Sequence, residues 1–217
     1  MTRTAESLRI SEIFFSLQGE TRTSGIPTVF IRLTGCPLRC VYCDTAYAFS
    51  GGETMSINDI ITRTRAYPAQ YVTVTGGEPL AQRNCLRLLS VLCDEGYEVS
   101  LETGGSIDVS GVDPRVVKVI DVKTPASGEE SSNRLENLAH LGTRDQLKFV
   151  ICDRRDYEWS VEMISRLDLP SRCEVLFSPA HGQLEPGLLA DWILSDGLRV
   201  RLQIQLHKYL WGDVRGR

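Results

Sequence analysis

The sequence predicts an α/β fold built as an incomplete, TIM-type β/α barrel, and three observations point there. Short apolar, β-branched runs alternate with longer amphipathic stretches along most of the chain, the pattern of repeated β-α units around a mainly parallel sheet. Polar, glycine-bearing segments follow several of the runs, where such barrels place their active-site loops. The 217 residues fall short of the ~250 typical of a complete (β/α)8 barrel, so any barrel here is trimmed. No internal repeat, low-complexity block or long charge run divides the chain, and residues 1–217 read as one domain.

In chain order, residues 8–16 and 28–33 read as strands. Ser56 is placed to cap a helix over 57–67 that Pro68 stops. Residues 71–75 form the next strand. The helix over 86–95 carries Leu86, Leu89, Leu92 and Cys93 on one apolar face and is closed by Gly96. Strands follow at 98–102 and 116–122. The stretch 125–133 (PASGEESSN) is polar and Gly/Ser-rich, a surface loop or mobile lid. Residues 146–152 and 173–178 are strands, Pro186 and Gly197 bracket a helix over 187–196, and 199–206 reads as a final strand.

With 42% hydrophobic and 24% charged residues and a net charge of -4, the chain has an ordinary globular balance and can bury a core. Mild acidity argues against a strongly basic nucleic-acid surface and favours small-molecule chemistry. No apolar run reaches the ~20 residues of a membrane span, and the opening residues show no charged-then-apolar export pattern. Seven cysteines, an odd number without an export signal, point to thiols in a reducing compartment, used for metal or catalysis more than for disulfides. The expectation is a soluble, cytoplasmic protein without nucleic-acid or membrane partners.

Three cysteines stand together in Gly35-Cys36-Pro37-Leu38-Arg39-Cys40-Val41-Tyr42-Cys43-Asp44-Thr45, directly after a strand. Thiolates are the soft ligands of iron–sulfur clusters. Three on one short loop can hold three irons of a [4Fe-4S] cluster and leave the fourth iron for the amino and carboxylate groups of S-adenosylmethionine. The alternative is zinc, which takes four ligands in structural sites. The fourth would have to come from His140, His181, His207, Cys85, Cys93, Cys152 or Cys173, none of which forms a second close ligand pair. Cys93 suits core packing, since free cysteine behaves as a small hydrophobe, and the other remaining thiols read as unremarkably placed.

The C-x3-C-x2-C spacing with an aromatic residue, Tyr42, before its last cysteine resembles the radical S-adenosylmethionine superfamily. The strand at 71–75 runs into Gly76-Gly77-Glu78-Pro79, where glycines permit turns and close ligand approach. Alone this is a tight β-α connection; beside the cysteines it resembles the superfamily's GGE motif, and Gly77 and Glu78 are then expected to bind the methionyl amino group. Glu102 at a strand end could accept bonds from ribose hydroxyls or be a solvated acid. Lys123 and Ser178 end two further strands; by resemblance they line the cosubstrate pocket with Tyr42, and otherwise they are turn residues.

Further motifs narrow the resemblance: Phe15-Ser16-Leu17-Gln18-Gly19-Glu20, Phe30-Ile31-Arg32-Leu33-Thr34-Gly35-Cys36, Cys43-Asp44-Thr45 and Gln205-Leu206-His207-Lys208-Tyr209. Together with TGGEP they closely resemble the 7-carboxy-7-deazaguanine synthase family. The resemblance implies rearrangement of 6-carboxy-5,6,7,8-tetrahydropterin to 7-carboxy-7-deazaguanine with loss of ammonia, on the route to queuosine. It implies a [4Fe-4S] cluster, S-adenosylmethionine, Mg2+, a homodimer and a one-electron donor such as flavodoxin or ferredoxin. Arg32 would grip the substrate carboxylate through a planar fork, its alternative being a buried ion pair. Leu17, Gln18 and Gly19 would meet the pterin, or form a polar turn with Leu17 in the core. Thr75 and His207 map to substrate contacts, and Thr45 to the Mg2+ ligand, the alternatives being a structural histidine and a turn hydrogen bond. The family's usual Thr before His-Lys is Leu206 here, and the chain continues past Tyr209, so a contact between chain end and substrate is not carried over. A glycyl-radical enzyme activase is the alternative within the superfamily; a zinc-bearing structural module is the alternative outside it.

Overall fold

The structure is a computed structural model that describes residues 6–216; residues 1–5, read above for an export pattern, and residue 217 lie outside them. The apolar runs become strands β1 (Ser7–Leu17), β2 (Pro27–Leu33), β4 (Tyr71–Gly76), β5 (Glu98–Thr103), β6 (Val117–Val122), β7 (Gln146–Ile151) and β8 (Glu174–Pro179), each within two residues of its expected bounds. A short β3 (Glu53–Ser56) and a two-residue β9 (Arg201–Leu202) complete a sheet of order β3-β1-β2-β4-β5-β6-β7-β8-β9. Pairing is antiparallel across β3-β1-β2 and parallel from β2 to β9. The ends do not pair with one another, so the barrel is open and partial.

Helices return the chain between parallel strands, as β-α connections require. α1 (Ile57–Arg65) starts at Ser56, whose Oγ accepts from Asp59 N at 3.1 Å. α2 (Cys85–Asp94) and α4 (Pro186–Ser195) match the expected helices in span, but α2 buries Cys85, Leu88, Leu89 and Leu92 and leaves Leu86 exposed. α3 (Arg154–Arg166) was not expected. Its start carried a signal, since Asp153 accepts from Asp156 N at 2.9 Å as an N-cap, but its run of charges hides the apolar stripe of Tyr157, Met163 and Ile164.

Period-two alternation sets which face each strand residue serves. Val29, Ile31, Leu33, Val72, Val74, Val99, Leu101, Leu147, Phe149 and Phe177 are buried against helix residues such as Ile60, Leu88, Leu89, Leu92, Tyr157 and Leu189. Truncating one of the leucines or Ile31 to Ala costs about 2–5 kcal/mol. The alternate positions point inward and are largely polar: Arg32, Thr75, Glu102, Asp121, Lys148 and Ser178.

The last expected strand, 199–206, is a correction. Pairing with β8 covers Arg201 and Leu202 alone. Gln203 keeps one backbone bond to Phe177 (2.9 Å) but turns its Nε2 to Gly19 O at 3.0 Å, and the chain becomes α5 (Leu206–Trp211). The alternation of RLQIQL reads as a strand, yet an edge segment with a better partner outside the sheet leaves it. The 125–133 stretch is held rather than loose. It forms 3-10 turns at Pro125–Ser127 and Glu130–Ser132, with Ala126 N donating to the buried Asp156 at 2.9 Å.

Candidate active site

The C-terminal ends of the parallel strands surround a cavity of about 430 Å³, a size that suits small molecules. Fifteen of the sixteen residues expected at the site line it. The sixteenth, Glu78, is fully buried behind the wall, where its carboxylate accepts from Leu80 N (3.0 Å), Thr103 Oγ1 (2.9 and 2.8 Å) and Gly104 N (2.8 Å). Its side chain fixes the end of β5 against the glycine turn and does not itself face the cavity. Burial pushes its carboxyl up from the ordinary value, against the pull of those donors.

The glycine turn and the cysteine loop are built on one another. Gly77 N donates to Leu33 O at 3.1 Å and Glu78 N to Gly35 O at 2.8 Å. A Cβ on Gly77 would sit 2.3 Å from Gly35 O and 2.8 Å from the Cβ of Cys36, so only glycine lets the two segments meet. Gly76, at φ 152°, likewise has no room for a side chain beside Leu33. From the other side Val41 N donates to Ser127 O (3.0 Å) and Arg39 N to Glu129 Oε1 (2.6 Å). The 125–133 stretch is therefore a brace for the cysteine loop.

Cys36, Cys40 and Cys43 are free, half-buried and exposed to the cavity. Burial raises the Cys36 and Cys40 thiols, with Lys123 pulling both the other way. Three thiols on one loop suit three separate irons of a cluster, whereas a structural zinc would need a fourth ligand. Beside them Tyr42 Oη and Asp121 Oδ1 are buried without a hydrogen-bond partner among the described residues. Such atoms are costly unless a ligand or water completes them. Lys123 Nζ holds the other Asp121 oxygen at 2.9 Å, and Ser178 is a further part of this wall.

Another part of the lining is a polar network. Gln18 Nε2 donates to Thr73 Oγ1 (3.2 Å) and Glu102 Oε1 (3.1 Å), while Thr75 Oγ1 donates to Glu102 Oε2 (3.0 Å). Glu102 thus ties two expected substrate contacts together and is no solvated strand-end acid; burial, with Glu20 nearby, pushes its carboxyl up. Lys148 Nζ stands 2.7 Å from Glu20 Oε2, and Gln205 Nε2 donates to Glu20 Oε1 at 3.1 Å. His207 is seated by Gly19, where an added Cβ would lie 3.0 Å from Nδ1. Leu206 N donates to Gly19 O at 3.2 Å, so the LQG turn carries the C-terminal segment across the cavity. Glu20, Asp44 and His207 each bring a donor atom within 4.8 Å of the others, next to Thr45, whose Oγ1 donates to Asp44 Oδ1 at 2.7 Å. This oxygen-rich corner fits Mg2+.

Arg32 makes an ion pair and also faces the cavity. Its Nε lies 2.8 Å from Glu12 Oε1 across the β1–β2 pair, yet neither Nη has a protein hydrogen bond among the described residues, and the side chain lines the cavity. Glu20, Lys148 and Asp121 were not singled out from the sequence. A charged residue at an inward position of an otherwise apolar strand, as in QLKFVI and VKVIDV, was the available signal.

Comparison with known proteins places this geometry. Residues 30–123 match the Radical SAM superfamily. A 7-carboxy-7-deazaguanine synthase of Chlorobaculum tepidum is 46% identical over 98% of this chain and 99% of its own. One from Koribacter versatilis is 43% identical over 94% and 97%. The crystal structure of QueE from Escherichia coli superposes with a TM-score of 0.75 at 25% identity, covering 92% of this chain and 94% of that one. With the cysteine loop, glycine turn and polar wall around one cavity, the chain belongs to the 7-carboxy-7-deazaguanine synthase family of radical S-adenosylmethionine enzymes.

Proposed function

We propose that this chain, acting as one domain, converts 6-carboxy-5,6,7,8-tetrahydropterin to 7-carboxy-7-deazaguanine with release of ammonia. The observation that supports it is the cavity itself, whose lining brings together three cluster-type thiols, an arginine with free Nη groups, an amide and a histidine. Bound cluster and S-adenosylmethionine supply the hydrogen abstraction that starts the rearrangement. Cys36, Cys40 and Cys43 would hold three irons of the cluster. Tyr42, Gly77, Glu102, Lys123 and Ser178 frame the cosubstrate side, and Glu78 keeps the glycine turn in place. Arg32 presents its free Nη pair to the substrate carboxylate, and Leu17, Gln18, Gly19, Thr75 and His207 set the ring against it. Thr45 would be a protein ligand for Mg2+.

The remaining assignments follow the family: a homodimer, a donor of the flavodoxin or ferredoxin kind, and a cytoplasmic setting. An activase acting on a partner protein gives no account of the Arg32, Gln18 and His207 wall.

Anaerobic reconstitution should load about four irons per chain. Incubation with reductant, S-adenosylmethionine, Mg2+ and the carboxypterin should release carboxydeazaguanine and ammonia in equal amounts. Cosubstrate cleavage with neither product would end the substrate assignment.

A further inference from the structure

Beyond its cavity wall, Arg32 belongs to a four-residue cluster that reaches the C-terminal tail. Glu12 Oε1 accepts from Arg32 Nε (2.8 Å) and from Tyr47 Oη (2.7 Å). Its other oxygen, Oε2, accepts from Arg215 Nε at 3.1 Å. The Arg215 guanidinium lies 4.2 Å from the centre of the Tyr47 ring, and that of Arg32 lies 5.9 Å from the same ring and 5.8 Å from Phe14. Tyr47 is thus flanked by two cations that share one carboxylate. Counting charges, the cluster keeps one net positive charge beside the cavity. On the way to Arg215 the tail passes the cavity with Asp213 in its wall, ion-paired to Lys208.

Geometry decides what the second cation does. A carboxylate with both oxygens available takes an arginine side-on, through two parallel N–H bonds. Glu12 does not take Arg32 in that way, because Oε2 is engaged by Arg215 and a single oxygen is left for Nε. We propose that Arg215 is a positioning residue for substrate binding: by occupying Glu12 Oε2 it stops Glu12 from closing on the Arg32 fork and leaves both Nη groups for the substrate carboxylate. The inference rests on the reading of Arg32 given above. Arg215 acts through Glu12 and touches neither substrate nor cofactor. Its side chain is 57% exposed, so its ion pair adds little to folding; its effect lies in where Arg32 points.

The test uses the cluster-loaded chain. Arg215→Ala should raise KM for the carboxypterin about five-fold, the factor that roughly 1 kcal/mol corresponds to, with kcat and iron content unchanged. Arg215→Lys, which keeps the charge, should recover most of it. A tetrahydropterin lacking the 6-carboxylate, used as a competitive inhibitor, should keep its Ki in Arg215→Ala. An unchanged KM in Arg215→Ala, with KM raised in Arg32→Lys, overturns the inference and leaves the reading of Arg32 standing. If neither variant moves KM, the reading of Arg32 falls and the inference with it. A Ki that worsens as much as KM, or a loss confined to kcat, assigns the tail to general packing and overturns the positioning role.

Discussion

Replacing Lys148 by Met would strip Glu20 of its cation inside the cavity wall. The pair is 2.7 Å apart, with 13% and 21% of the side chains exposed. Burial works to raise the Glu20 carboxyl, but Lys148, His207 and the Gln205 amide outweigh it and lower it from 4.5 to about 2. At about 1.4 kcal/mol per pH unit, that difference bounds the Glu20 interactions near 3 kcal/mol, and partial solvent access reduces the share lost with Lys148 to about 2 kcal/mol. For a chain of this size 1 kcal/mol moves Tm by roughly 2–4 °C, so Lys148→Met should melt about 4–8 °C below the parent at pH 7. Lys148→Met/Glu20→Gln should recover part of the loss, because no buried charge is then left unpaired. The pH dependence has a definite sign. In the parent the depressed carboxyl contributes fully above pH 4.5 and loses its contribution as pH falls toward 2. In the variant burial dominates, the carboxyl rises above 4.5, and protonation favours the folded state, so the deficit should shrink between pH 7 and pH 5. The measurement is anaerobic thermal unfolding at both pH values. A Tm within about 1 °C of the parent at pH 7, or a deficit that grows on acidification, refutes the reasoning.

Gly77→Ala should push the cysteine loop off the glycine turn, since the new Cβ meets Gly35 O and Cys36. After reconstitution the variant should retain little iron while its far-UV circular dichroism is unchanged; full iron loading would show that the loop shifts without harm. Tyr42→Phe removes a buried hydroxyl that has no partner among the described residues. The ligand-free chain should gain about 1 kcal/mol, read as a Tm rise of roughly 2–4 °C, while its Kd for S-adenosylmethionine weakens; a lower Tm would mean that the hydroxyl is already satisfied.

The parallel strands were legible because a strand buried on its outer face writes apolar residues at every second position, and the glycine and proline stops mark its ends. The cysteine loop was legible because cluster ligation needs a local spacing. What the sequence left hidden depends on partners far away in the chain. Glu20 gains its meaning from Lys148, 128 residues later, and Glu12 from Arg215, 203 residues later. Glu78 looked like a ligand contact because its motif abuts the cysteines; only packing shows its carboxylate turned to Thr103 and Gly104. The 199–206 segment carries an honest strand pattern that loses to one amide, Gln203, reaching Gly19.

The division of each strand between an apolar outer face and a polar inner one separates two kinds of selection. Outer residues such as Ile31, Val74 and Phe149 answer to folding, whereas Arg32, Thr75 and Lys148 on the same strands line the cavity. Substitutions on the inner face can therefore retune what the cavity accepts while the shell that holds the barrel together stays as it is. A scaffold arranged in this way can exchange one substrate for another by small steps, with the cysteine loop and its glycine partner carried along unchanged.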